Sequence, residues 1–295
     1  MRRLSRVGFA LVILAVPLGT SACGDDAREA RPYVVGIGAE LMTQQAPPPT
    51  IDRTMFDDPR GPWLDWRRGE VAASAGKWPF YWTRAIYSGW GRRGFFGGGG
   101  SWQVDFPKSD QQFMIVLKRL VRLNGYDWEN PVSLADPDLR KFPLIYMLEV
   151  GGMDMTEAEV EGLRGFMDAG GFVIVDDFWG PREWDVFEYN MRRVYPDRPI
   201  VDIGLDHPVY SAYYTIDHVE QVPAIGNTYQ RTECYGCFPE VKGMYDDDGR
   251  LMMMINFNTD LGDAWEWAES PQYPLELSTY AYEMGANMIV YAMSH

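Results

Sequence analysis

The chain has 295 residues, 46 % of them apolar, with 27 basic and 42 acidic side chains and a formal net charge of −15. That imbalance excludes nucleic acid and anionic lipid as partners, because both bind basic faces that release their counterions. The length and apolar share are enough for a domain with a substantial core.

At the start, Arg2, Arg3 and Arg6 precede a nearly unbroken apolar run over residues 7–18, and Gly19, Thr20, Ser21 and Ala22 follow. Basic start, apolar centre and small residues in that order predict a secretion signal over residues 1–22. The run is shorter than the roughly 20 residues a spanning helix needs. Cleavage would leave Cys23 first, the position at which bacterial lipoproteins are acylated, although Thr20 replaces the usual Leu three residues earlier. The expectation is a lipoprotein of the cell envelope that touches the membrane only through a lipid anchor at Cys23, with plain secretion as the alternative. Losing three arginines and no acid takes the net charge of −15 to −18, which solubility explains more simply than an acidic recognition surface does.

Residues 24–76 carry the run Pro47, Pro48, Pro49 and little periodicity, and together with Cys23 read as a tether and irregular lead-in. Residues 77–295 then read as one α/β domain. Residues 81–87 are aromatic and branched, as in a strand. Ser109 with Gln112 reads as a capping box ahead of the apolar positions Phe113, Val116, Leu117, Leu120 and Val121, so a helix is expected up to Gly125. Residues 142–150 form a continuous apolar run, as a parallel strand covered on both faces would. Thr156 with Glu159 starts a second helix with the face Val160, Leu163 and Met167, closed by Gly170 and Gly171. The strand 172–175 follows directly, completing a βαβ unit. Residues 182–195 look helical. Residues 241–245 and 251–257 flank an Asp-Asp-Asp-Gly turn as a hairpin, and residues 278–293 form a terminal helix. The run of glycines at 97–100 is the only low-complexity piece.

Cys234 and Cys237 make a lone C-x-x-C, which in an oxidising compartment is expected to be a disulfide. Zinc would need two further ligands, and His207, His218 and His295 are the only imidazoles, so no metal is assigned there.

Several long motifs then occur in order. They are Trp102 to Asp110, the run 142–156, the string GGFVIVDDFWG, the segment NFNTDLGDAWEWAE from Asn256, and the ending YAYEMGANMIVYAMSH. Together they resemble the bacterial domain of unknown function 4159 family over about residues 79–295. The resemblance implies a class I glutamine amidotransferase-like fold, a flavodoxin-like three-layer α/β domain with a mostly parallel sheet, closed by a C-terminal hairpin and helix. It also implies a neighbourhood of MoxR-type ATPases and von Willebrand-type modules, and no established activity.

In such sheets ligands lie beyond the carboxyl ends of the strands, where Glu149, Asp176, Asp177 and Trp179 are expected. An amidotransferase nucleophile would be a cysteine on a sharp strand-to-helix turn. That position holds Asp176, and neither Cys234 nor Cys237 follows a suitable strand, so glutaminase chemistry is not expected. Asp176 and Asp177 suit a divalent cation or an acid and base pair; the simpler reading is that they cap the next helix and fill turn hydrogen bonds. Asn256, Asn258, Asp260 and Asp263 space oxygen side chains as a calcium loop does, but Leu261 stands where such a loop has glycine, and a self-satisfied turn is the plainer expectation. Glu266 closes the segment. Trp179 and Trp265 are candidates for stacking on a sugar, against the commoner role of tryptophan in cores. His207 is expected to be a hydrogen-bonded structural residue.

The reading is thus a non-catalytic envelope component that binds or assembles with a protein partner, needing no cofactor unless it is a divalent cation. The alternative is a carboxylate- or cation-dependent hydrolase of an envelope glycan or peptide, with Asp176, Asp177 and Glu149 as its suspected catalytic residues.

Overall fold

The computed structural model describes residues 78–90 and 101–295. The signal sequence, Cys23, the lead-in and the glycine run all lie outside the described residues. Seven strands form one sheet: β1 (Thr83–Ile86), β2 (Asn130–Ser133), β3 (Leu144–Leu148), β4 (Phe172–Asp176), β5 (Ile200–Asp202), β6 (Glu240–Tyr245) and β7 (Leu251–Phe257). Their order is β2-β1-β3-β4-β7-β6-β5. The first five in that order run parallel, and β6 and β5 add antiparallel strands on the β7 side.

Among the described residues five α-helices cover the sheet: α1 (Lys108–Leu120), α2 (Glu157–Asp168), α3 (Gly180–Val194), α4 (Leu261–Glu266) and α5 (Leu275–Ser294). None of the described helices is long and apolar enough to cross a membrane. Successive side chains of a strand point to opposite faces, and the two faces carry separate cores. Leu144, Tyr146 and Leu148 of β3, with Phe172 and Ile174 of β4, pack with α1, α4 and α5. Ile145, Met147, Val173 and Val175 pack with α2 and α3. The centre of the first core is aromatic: Phe113 lies between Trp82 and Trp265, with ring centroids 4.5 and 4.2 Å away. Cutting Phe113 back to alanine would cost about 3–5 kcal/mol.

Local chemistry explains most of these elements. β3, β4 and β7 are buried along their whole length, as runs that are apolar but for Asp176 and Asn256 require. Thr156 caps α2 through a complete capping box with Glu159. The same pattern at Ser109 and Gln112 does not work that way. Helix α1 begins at Lys108, its N-cap is Pro107, and no side chain caps it. Ser109 is buried one residue inside the helix, where its hydroxyl accepts from Arg84 at 2.9 Å. The segment expected to be a self-satisfied loop after Asn256 is instead the end of β7 followed by the short helix α4. Strand β2 carried no sequence signal, since its four residues, Asn-Pro-Val-Ser, put a proline in the strand. Proline survives there because β2 is an edge strand.

Candidate functional site

The chain reverses its direction of travel across the sheet between β1 and β3, so the loops leaving these strands diverge and open a crevice at their carboxyl ends. Four non-glycine residues around that edge have left-handed backbones: Asp105 (φ 60°), Glu149 (φ 53°), Asp177 (φ 52°) and Asn258 (φ 58°). A positive φ is uncommon for non-glycine residues, and aspartate and asparagine tolerate it best. Three of them follow adjacent strands and are stitched together by their backbones. The Glu149 amide donates to the Asp177 carbonyl at 2.9 Å, the Asp177 amide to the Thr259 carbonyl at 3.1 Å, and the Asn258 amide to the Phe178 carbonyl at 3.1 Å.

Asp105 arrives from the β1 side, held by a buried arginine. Arg84 pairs with Asp110, both side chains fully buried, and donates to the carbonyls of Trp102 at 3.3 Å and Val104 at 3.2 Å. Its guanidinium lies over the Tyr146 ring, 4.9 Å from the centroid. One cation thus fixes the chain on both sides of the turn that presents Asp105. The Asp105 Oδ2 atom is sealed from solvent and has no hydrogen-bond partner.

The remaining acids come from the β7 end and α4. Asp260 caps α4, accepting the Asp263 amide at 2.7 Å. Asp263 and Glu266 lie one helical turn apart on α4 and so share a face. Two groups of three carboxylates result, each with oxygens within 4.8 Å of one another: Asp105, Asp177 and Asp260, and Asp105, Asp263 and Glu266.

Protonation is strongly displaced across this set. Burial raises the Asp105 carboxyl well above the ordinary range, and the charges of Asp263 and Glu266 add to it. Burial does the same to Asp177, helped by Glu149 and Asp105, and to Asp260, helped by Asp177 and Asp263. Glu266 is pushed up to about 7 by burial and then by Asp263. Asp263 is raised by burial, against the pull of the Ile225 amide and Trp267. Crowded acids of this kind share protons and titrate as a set. The cations Arg84, behind Asp105, and Lys108, beside Asp263 and Glu266, pull against these shifts.

An all-carboxylate set without nitrogen or sulfur suits a hard divalent cation such as magnesium, calcium or manganese. The fit has a steric counterpart at Gly262. A Cβ there would stand 2.9 Å from Asp105 Oδ2 and 2.9 Å from the Tyr146 hydroxyl, so glycine leaves the space beside the unpartnered oxygen clear.

A match to the family described as Domain of unknown function (DUF4159) spans residues 92–293. The chain belongs to the DUF4159 family. A comparison with curated proteins finds no match.

Among the residues singled out in this DUF4159 chain, the structure divides roles sharply. Asp176 is fully buried. Its Oδ2 accepts the Tyr146 hydroxyl at 2.8 Å and the amides of Leu261 at 2.9 Å and Gly262 at 3.1 Å. It does not cap the next helix, whose N-cap is Trp179; it holds the first amides of α4 instead, beside the N-cap Asp260. Burial pushes its carboxyl up to about 7, against those hydrogen bonds. Asp177 caps nothing, since the N-cap of α3 is Trp179; its Oδ1 accepts the Trp179 indole at 3.0 Å. Glu149 stands half-buried beside them.

Asn256 and Asn258 have committed their amides to the protein. Asn256 donates to the Val175 carbonyl at 3.1 Å. Asn258 donates to the Phe238 carbonyl and accepts the Gly180 amide, both at 2.8 Å. Trp265 is fully buried in the aromatic core, which leaves no face for a sugar. His207 accepts the Val209 amide at 3.2 Å and caps a short 3-10 turn, Pro208–Ser211. Cys234 and Cys237 are joined by a disulfide, packed against Gly180 at the start of α3.

Sequence reasoning missed Asp105, the residue common to both carboxylate groups. Its motif was visible, but an aspartate in an irregular loop carries no chemical signal until the fold brings it to Asp177 and Asp263.

Proposed function

We propose that this domain is a divalent-cation-dependent hydrolase of the bacterial cell envelope, acting on a glycan or peptide. The observation that carries the reading is the convergence of Asp105, Asp177, Asp260, Asp263 and Glu266 from separate chain segments at the carboxyl edge of the sheet. Buried carboxylates that repel one another cost folding free energy, and a ligand of opposite charge offsets that cost. A bound cation of this class lowers the pKa of a coordinated water and polarises a carbonyl or glycosidic oxygen. The five carboxylates would hold and orient such a cation, and Glu149, half-buried beside them, would serve as the proton acceptor.

The finer fold assignment belongs with this reading. The parallel strands in the order β2-β1-β3-β4-β7 follow the flavodoxin-like pattern, in which the crevice beside the first strand holds the ligand. That supports the amidotransferase-like fold with a different set of reacting groups. The address remains that of the leader: secretion signal over residues 1–22 and lipid anchor at Cys23.

A second reading, a non-catalytic binding or assembly component, is favoured by one observation. Tyr229, Tyr235 and Phe238 are largely exposed in the segment that carries the disulfide, and exposed aromatic groups are common anchors for protein partners. A MoxR-type ATPase or a von Willebrand-module protein is the partner proposed in that case.

The deciding experiment incubates the purified full-length protein with envelope glycan and peptide fragments and magnesium, calcium or manganese. Release of cleaved products that depends on the cation, and is lost in Asp177→Asn, supports the hydrolase. A cation-dependent rise in Tm without any cleavage favours the binding component. Absence of any cation effect overturns the hydrolase.

A further inference from the structure

We infer that the acidic centre holds two divalent cations and that Asp105 is shared between them. This rests on the cation reading above and extends it to a stoichiometry and a bridging ligand.

Two carboxylate triads are present, and they have one member in common. One triad joins Asp105 to Asp177, just after β4, and Asp260, the N-cap of α4; the other joins it to Asp263 and Glu266 within α4. A carboxylate has two oxygens and can give one to each of two cations about 3.5–4 Å apart, the spacing found in two-metal hydrolytic sites.

An independent observation points to a ligand at the shared residue. Asp105 Oδ2 is buried and no amide, hydroxyl or cationic group donates to it, a costly state for an ionised carboxylate oxygen unless something else satisfies it. Asp176, fully buried at the adjoining strand end, likewise has an Oδ1 atom without a partner. Gly262 keeps the space beside Asp105 Oδ2 clear, since a Cβ would come within 2.9 Å of that oxygen.

Charge supports two ions over one. With their protons displaced by metal, five carboxylates around a single dication would leave three negative charges uncompensated in a buried site, whereas two dications leave one. The coordinating groups are also oriented in advance by outer hydrogen bonds. Asp177 accepts the Trp179 indole at 3.0 Å, Asp263 accepts the Trp267 indole at 3.0 Å, and Asp260 accepts the Asp263 amide at 2.7 Å.

The test uses the full-length protein, stripped with chelator, dialysed against manganese and assayed for bound metal. Electron paramagnetic resonance at saturation then distinguishes isolated from paired ions. The expected result is two manganese ions per chain and a spin-coupled spectrum. Asp177→Asn and Glu266→Gln should each retain one ion with the six-line signal of isolated manganese. Asp105→Asn should weaken both sites by roughly tenfold to a hundredfold, as loss of a shared ligand predicts. One ion per chain in the wild type, uncoupled, overturns the bridge while leaving the cation reading in place. No bound manganese, magnesium or calcium overturns both. The wild-type stoichiometry and spectrum decide the matter without any variant, so a variant that fails to fold does not protect the inference.

Discussion

The Asp176 carboxylate at the end of β4 accepts the backbone amide of Leu261, 85 positions further along the chain, at 2.9 Å. With the Gly262 amide and the Tyr146 hydroxyl on the same oxygen, it ties the start of α4 to the strand end that also carries Asp177. Asp176→Ala strands three buried donors, and about 3 kcal/mol of stability should be lost. Asp176→Asn keeps an oxygen acceptor and should cost about 1 kcal/mol or less. Urea denaturation of the three proteins checks the order, and an alanine variant as stable as the wild type would remove Asp176 from its anchoring role.

Protonation of the cluster gives the cation-free protein an unusual pH dependence. Asp105, Asp177, Asp260 and Asp263 are raised, and Asp176 and Glu266 sit near 7. Between about pH 4 and 7 the folded state therefore binds more protons than the unfolded state, and stability falls as pH rises through that window. In chelator, Tm should be higher at pH 5.5 than at pH 7.5, by about 3 °C or more for a domain of this size. Saturating manganese should reverse the sign, because the cation competes with protons for the same oxygens. Differential scanning calorimetry at both pH values, with and without manganese, measures it; a chelated protein that is most stable at pH 7.5 contradicts the assignment.

Gly262→Ala separates space from propensity. Alanine is the better helix former by about 1 kcal/mol, so without a steric conflict the substitution should stabilise α4. With a Cβ 2.9 Å from both Asp105 Oδ2 and the Tyr146 hydroxyl, the variant should instead lose most of its cation-induced rise in Tm. Calorimetric titration with manganese provides the affinity, and wild-type affinity in the variant would show that the space is not needed.

The buried pair Arg84 and Asp110 should behave as a unit. Arg84→Met leaves Asp110 charged and alone in the core, at a cost of about 3–5 kcal/mol. Pairing it with Asp110→Leu should recover most of that stability. The double variant should still bind cation poorly, because nothing then holds the carbonyls of Trp102 and Val104. Denaturation and manganese binding on the four members of the cycle test both statements; unchanged affinity in the double variant would show that Asp105 is placed by something else.

Breaking the disulfide should matter little to stability. A bridge between Cys234 and Cys237 closes a very short loop, so the Cys234→Ser, Cys237→Ser variant should lose only about 1–2 kcal/mol. Alkylation under denaturing conditions, followed by intact mass, should find no free thiol at either position in the wild type. Two alkylated cysteines there would reject the bridge.

What the sequence made legible follows from the range of the interactions involved. Thr156 and Glu159 satisfy each other within one turn, so their capping box could be read directly and is present. Ser109 and Gln112 offer the same spacing, but the hydroxyl of Ser109 is taken by Arg84, 25 residues earlier, and no local pattern reports that. The central strands declare themselves by unbroken apolar runs, whereas β2 and β5, short and at the two edges, do not. In the site, Asp260 and Asp263 stood out through their spacing with Asn256 and Asn258, and Asp177, with Asp176, through its place at a strand end. Asp105 stayed hidden, since its meaning arises from a left-handed turn and a buried arginine. The tryptophans misled for the opposite reason: Trp265 sits in an acidic motif, yet its ring faces inward from α4 to the core.

The strand order has a consequence for how the polypeptide emerges during synthesis. Strand β7 pairs directly with β4, and α5 fills the aromatic core beside Phe113 and Trp265, yet both are made after most of the other elements. Until they leave the ribosome, β4 presents a bare hydrogen-bonding edge and one face of the sheet lacks its principal cover, the kind of surface that chaperones recognise. A chain truncated before residue 251 and released should accordingly be captured by holdases and cut readily by protease, and the complete released chain should resist both.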